Sequence, residues 1–287
     1  MRTITLLIIG SFVLVQLLAA FVGWQFISQS VSIVENPADL QNAPLLFAYV
    51  LFNALVLLLI LKFYKGNLLF YAIELLLELL SATIFALLAL PAVFALLFGG
   101  FIVVLRVLFP STRTVLLLFS AAVVGALLGS SLDILPAIIF ASILGGYDVI
   151  AVFYTKHMIT LARELSQRNA GFSIKLTANR RRQPERRRNA ARALVEATLH
   201  RTPREAGEPE SIELGTGDLV IPAMLLVSSL KISAVHAAAA FVGSLAGLFL
   251  MLYLLEKRKG YWPALPPLVF GALFALLLVQ LAAYLKF

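Results

Sequence analysis

Two aspartates stand inside apolar stretches of this chain, Asp148 in ILGGYDVIAVF and Asp218 in ELGTGDLVIPAMLLV. A carboxylate in a hydrocarbon region is expensive, so its default reading is functional. Two of them on neighbouring apolar segments suggest one shared site. Carboxylates that cannot both ionise hold one proton between them and activate a water, which is the chemistry of acid–base hydrolysis.

The elements that would position them follow from composition. Of 287 residues, 61% are hydrophobic and 13% charged, and the mean hydropathy is +0.96. Apolar runs of about 20 residues read as transmembrane helices. In lipid every backbone polar group must be paired within its segment, and these runs are too long and unbroken for barrel strands. The expected fold is therefore all-α, a polytopic membrane protein. Nine apolar segments run roughly over 3–27, 44–62, 67–90, 92–109, 114–132, 134–155, 214–232, 235–255 and 262–285. Arg2 before the first run suggests a signal peptide, but the run is long for a signal's apolar core. With no cysteine and three scattered histidines, neither a disulfide framework nor a zinc site is expected, and no metal or organic cofactor is implied.

Basic residues set the orientation. With the N-terminus inside, 21 of the 23 Lys and Arg fall on the inner side, and Lys231 and Lys286 on the outer. The inner set includes Lys62, Lys65, Arg106 and Arg113. This puts the C-terminus outside, as an odd number of spans requires. The expected layout is helices 1–6 over 1–160, a basic hydrophilic inner loop over 161–212, and helices 7–9 over 213–287. The loop contains RRRQPERRRNAARALVEATLHR, which suits a contact with anionic headgroups, ARALVEATLH being suited to a short amphipathic helix. No aromatic residues are interleaved for base stacking, so no nucleic-acid partner is expected.

Helical rise places Asp148 roughly 12 Å, and Asp218 about 7–8 Å, from the inner boundary. The consecutive antiparallel helices therefore permit the two carboxylates to face one another. Gly215 and Gly217 flank Thr216 before Asp218. Small residues let membrane helices approach closely, and here they also relax the start of the seventh helix where water enters. A third element, Pro263-Ala264-Leu265-Pro266-Pro267, opens the last helix at the same depth. Prolines prevent a regular helix start, and irregular backbone at membrane depth has to face protein or a wet cavity. Such backbone can pair with an extended substrate strand.

Together these elements resemble the presenilin and signal peptide peptidase family of intramembrane aspartyl proteases. The resemblance rests on Tyr147-Asp148, on Gly215-Thr216-Gly217-Asp218 and on Pro263-Ala264-Leu265. It covers the whole nine-helix chain, which in its compactness resembles an archaeal presenilin homologue. It implies that Asp148 and Asp218 are the catalytic pair of a GxGD-type protease. It also implies that Pro263, Ala264 and Leu265 shape the active site and receive a transmembrane-helix substrate. The derived orientation is that of presenilins, not of signal peptide peptidases. Thr216 departs from the Leu usual in presenilins. The loop lacks the long apolar segment that presenilins cleave in maturation. Presenilins work with partner subunits, whereas the simplicity of this chain favours acting alone in its lipid.

Other acids carry weaker signals. Glu74 and Glu78 share a face of the third helix at i, i+4. They either line a polar path or, more simply, are hydrogen-bonded within the bundle. Asp133 lies at an outer helix end, and Glu35 and Asp39 in the first outer loop. An alternative function is a proton- or cation-coupled transporter or channel using Asp148, Asp218, Glu74 and Glu78. A prepilin-type peptidase also uses a G-x-G-D aspartate, but Leu219-Val220 follow here where that type has a lysine-containing continuation.

Overall fold

Long apolar runs close their backbone hydrogen bonds within themselves, and each run found in the sequence is a helix. The computed structural model describes residues 2–64, 66, 68–153, 173–177, 211–257 and 263–285. Among these, nine α-helices follow in chain order: α1 (Arg2–Ser28), α2 (Asn42–Phe63), α3 (Leu68–Ala86), α4 (Ala92–Leu108), α5 (Arg113–Ser131), α6 (Ile134–Phe153), α7 (Thr216–Leu230), α8 (Ala234–Lys257) and α9 (Leu265–Tyr284). Six are long and apolar enough to cross a membrane, while α4, α7 and the 42–57 part of α2 are shorter apolar helices. The shortening has local causes. Residues 87–90 form a turn, and Pro91 caps α4 in an extended conformation. Gly215 is also extended, so α7 starts only at Thr216.

One feature was not expected. Ser173–Thr177 (β1) and Ser211–Gly215 (β2) form an antiparallel ribbon, with Ser173 opposite Gly215 and Thr177 opposite Ser211. The segment expected as a plain loop thus contains a strand leading directly into α7. The amphipathic helix suggested for ARALVEATLH lies outside the described residues.

The core is built around α7. On α1, Ile8, Phe12, Val15, Ala19, Val22 and Phe26 are buried at helical spacing and pack with α5, α7 and α8. In lipid, helices gain little by hiding apolar area from each other, so close packing carries the association. Glycine provides that closeness on α5. A Cβ at Gly129 would lie 2.6 Å from the Met224 carbonyl oxygen and 2.6 Å from Val227 Cβ. Val227 also faces Gly23 of α1. A second cluster joins α6, α7 and α9 through Phe140, Met224, Leu225, Leu265 and Val269, and takes in Ala43 of α2.

Of the two glutamates of α3, Glu74 is hydrogen-bonded within the bundle, while Glu78 is buried beside an arginine without a hydrogen bond. The Arg113 guanidinium donates to both oxygens of Glu74, at 2.7 and 2.9 Å, and Arg106 Nη2 donates to Oε1 at 3.1 Å. Glu78 lies beside Arg106, with Nε 3.4 Å from Oε1. Arg106 is 4% exposed. It is therefore not the loop charge that the orientation count took it for, but an internal partner that ties α4 to α3.

Two stability outcomes follow. Gly129→Ala should destabilise by roughly 1–3 kcal/mol through overpacking. Gly100→Ala, whose added Cβ meets nothing within 4 Å, should leave the thermal midpoint unchanged or slightly higher. Equal midpoints for the two variants would contradict the packing described. Glu74→Ala removes the carboxylate that Arg106 and Arg113 share and should cost about 3–5 kcal/mol. Thermal unfolding in detergent measures it, and a midpoint equal to wild type would show that the arginines do not depend on Glu74.

Candidate active site

Asp148 lies five residues before the end of α6, and Asp218 lies in the first turn of α7. The two ends meet in the α6–α7–α9 cluster. There Asp148 comes close enough to Asp218 for their charges to interact. Asp148 is 9% exposed, and Asp218 is partly buried. Their setting is apolar, with Leu219 and Ile221 buried on α7 and Ala151 and Val152 on α6.

Asp148 is held by a backbone donor, the Leu265 N–H donating to its Oδ2 at 3.3 Å. Asp218 lies against the backbone of Gly215. Both contacts are at the start of a helix, where N–H groups lack intrahelical partners and the helix dipole favours negative charge. Pro266 and Pro267 in the first turn of α9 carry no N–H of their own, which leaves Leu265 as the donor aimed at Asp148. That N–H is thus already engaged.

The other sequence-derived residues take distinct places. Pro263, Ala264 and Leu265 are all buried at the start of α9. The Leu265 side chain belongs to the core cluster with Met224 and Leu225. Tyr147 meets Phe47 of α2 edge to face, with centroids 5.9 Å apart at 73°. Gly215 caps α7, and Thr216 and Gly217 are its first helical residues. The expectation that both glycines let helices approach closely is not met. Gly217 is exposed, and a Cβ there would meet nothing within 4 Å. A Cβ at Gly215 would lie 3.2 Å from Asp218 Oδ2 itself. Their effect is local, shaping the backbone around the carboxylate.

Three contributors were not legible in the sequence. Phe47 was one apolar residue among many. Gly145 approaches Pro266, its notional Cβ 3.9 Å from the proline Cα, which brings α6 against α9. The Leu265 N–H carries no residue-type signal at all. Glu74 and Glu78 do not join the aspartates, because α3 holds them against arginines of α4 and α5. Among the described residues no group of three or more His, Cys, Asp or Glu could hold a metal ion.

With this geometry in place, the chain can be set beside known proteins. A family model described as signal-peptide peptidase, presenilin aspartyl protease matches residues 9–285. No curated protein matches the chain significantly. Two crystal forms of a presenilin family intramembrane aspartate protease share its fold. One is 26% identical with a TM-score of 0.65, covering 96% of this chain and 97% of that one. The other is 26% identical with a TM-score of 0.61, covering 95% of this chain and 97% of that one. The chain belongs to the signal-peptide peptidase and presenilin aspartyl protease family, and is an intramembrane aspartic protease.

Proposed function

We propose that Asp148 and Asp218 are the catalytic pair and that the substrate is a membrane-spanning helix cut within the bilayer. The observation that carries this reading is that Asp148, near the end of α6, and Asp218, at the start of α7, lie near enough for their charges to interact, with the Leu265 N–H donating to Asp148. The pair carries one proton. The ionised carboxylate takes a proton from water as the water oxygen attacks the scissile carbonyl carbon. The protonated one gives its hydrogen bond, then its proton, to the carbonyl oxygen. Collapse of the resulting diol breaks the C–N bond, and a proton passes to the departing amine. The two titrations are coupled, so they belong to the pair and not to either residue.

Gly215, Thr216 and Gly217 set the backbone that carries Asp218 in this scheme, and Pro263, Ala264 and Leu265 form the wall against which the substrate lies. The substrate must unwind locally, since a helical peptide bond is shielded by its own turn. Lipid is the working solvent, and no partner subunit is required. The N-terminus and the loop between α6 and α7 face the cytoplasm, with the C-terminus outside. The charge asymmetry supports this orientation, because it persists after Arg106 and Arg113 are removed from the inner count.

Purified Asp148→Asn and Asp218→Asn should each fall below about one per cent of wild-type turnover on a single-span substrate, with unchanged thermal midpoints. The wild-type rate should peak where the pair holds one proton and fall on both the acidic and alkaline sides. Substantial turnover by either variant sinks the pair. Turnover seen only when other proteins are added sinks the single-subunit reading. For orientation, a cysteine introduced between Arg168 and Arg204 should resist an impermeant label in intact cells, and one placed after Lys286 should react. The reverse pattern overturns the orientation.

A further inference from the structure

The buried face of α1 carries one residue that apolar packing does not call for. Gln16 is 0% exposed, and neither its Nε2 nor its Oε1 makes a hydrogen bond. Its neighbours on that face are Phe12, Val15 and Ala19. A buried amide without partners is costly, and Gln16 has two N–H donors and a carbonyl oxygen to satisfy.

The register of α1 on α7 gives the place of that amide. A Cβ at Gly23 would lie 3.1 Å from Val227 Cβ, so these two residues stand level. As the first and seventh spans, the two helices cross in the same direction. Gln16 precedes Gly23 by seven residues, and Val220 precedes Val227 by seven. Seven residues are about two turns, so each stays on the same face of its helix. Gln16 therefore stands level with Val220, which packs against the same core cluster. Helical side chains lean toward the N-terminus of their helix. The amide thus leans from Val220 toward Thr216, one turn earlier on the same face of α7. α1 also touches β1 and β2, and β2 leads directly into Thr216.

Thr216 offers a hydroxyl there, and the first-turn N–H groups of α7 are open because Gly215 at the N-cap supplies no side-chain cap. Other buried hydroxyls are placed differently. Ser244 of α8 donates to the Phe241 carbonyl. Ser120 of α5 comes nine residues before Gly129, which faces α7. Nine residues are about two and a half turns, so Ser120 is turned away from α7. A single water spans from a side chain level with Val220 to the turn below it, and at this place it meets the several polar partners that a buried water requires. Asp218 belongs to the same turn but leaves it on the opposite side, two residues before Val220 and toward Asp148. Gln16 therefore acts on Asp218 through the backbone of α7 and not by touching its carboxylate.

We infer that Gln16 is a positioning residue of this protease: through one bound water its amide holds the Thr216 hydroxyl and the uncapped N–H groups of α7, and so fixes the turn that carries Asp218. This rests on the reading of Asp148 and Asp218 as the catalytic pair. It gives α1, which contributes nothing to the pair itself, a polar hold on the start of α7.

The test uses the full chain in lipid nanodiscs with a single-span peptide substrate. Gln16→Met keeps the length of the side chain and removes its hydrogen bonds. It should lower kcat roughly three- to tenfold with little change in KM, since the turn it holds serves the chemical step. Its thermal midpoint should equal or exceed that of wild type, because an apolar group replaces an amide in an apolar core. Hydrogen exchange at the amides of residues 216–218 should quicken in the same variant. Thr216→Val should lose a similar factor in kcat, and Thr216→Ser, which keeps the hydroxyl, should retain about half of wild-type turnover or more. The double variant Gln16→Met with Thr216→Val should be no slower than the slower single variant, since both changes break one bridge. Full kcat in Gln16→Met overturns the inference and leaves Gln16 a buried polar residue without a role in turnover. Losses that multiply in the double variant also overturn it, as they make the two residues independent. If Gln16→Met does not fold, equal turnover of Thr216→Val and Thr216→Ser overturns it. A wild type that cleaves nothing would fail the protease reading itself, a result distinct from all of these.

Discussion

A carboxylate among apolar helices has no water shell to stabilise its charge, so the protein must provide the donors. Helix starts are the cheapest source, because their first N–H groups lack intrahelical partners. Asp148 uses this source through Leu265 at the start of α9, and Asp218 lies in the first turn of α7 beside Gly215. The remaining architecture answers to that requirement. Two helices must begin at the depth where a third approaches its end, and all three must be held there without relying on hydrophobic contrast. The glycines of α5 and the buried face of α1 hold α7, and the cluster around Leu265 brings α9 onto α6 and α7.

The same rule, that charge in lipid must find its partner inside, accounts for the cluster on α3. Glu74 binds arginines from two different helices, and α4 is thereby joined to α3 and α5. Replacing such a cluster with apolar residues is often neutral, but removing one member is not. The cluster therefore behaves as a joint that is present as a whole or absent as a whole.

Hydropathy made the helices legible, since an unbroken apolar run has one solution in lipid. The candidate carboxylates were legible for the opposite reason, as costly exceptions within those runs. Boundaries were less legible where backbone conformation decides them. Nothing in residue type announces that Gly215 is extended, so α7 was expected to begin earlier. The β1–β2 ribbon escaped because a basic, proline-containing segment reads as loop, and the pairing of SIKLT with SIELG depends on contact between distant residues. Arg106 was counted with loop charges because a basic residue near a helix end looks the same in sequence whether it faces water or a buried glutamate. The donor at Leu265 was invisible because every residue but proline has one.

The contact between α8 and α9 has a mechanical consequence. Gly243 and Gly247 of α8 meet Gly271 and Pro267 of α9 backbone to backbone, without side chains that could rearrange. Sliding or tilting one helix against the other would drive main-chain atoms together. The start of α9, which holds Asp148 through Leu265, is thereby set on a rigid footing. α2 meets its neighbours through side chains such as Leu46, Phe47, Leu57 and Ile60. The two flanks of the candidate site thus differ in kind: α9 is seated backbone to backbone on α8, and α2 rests on α6 and α3 through side chains.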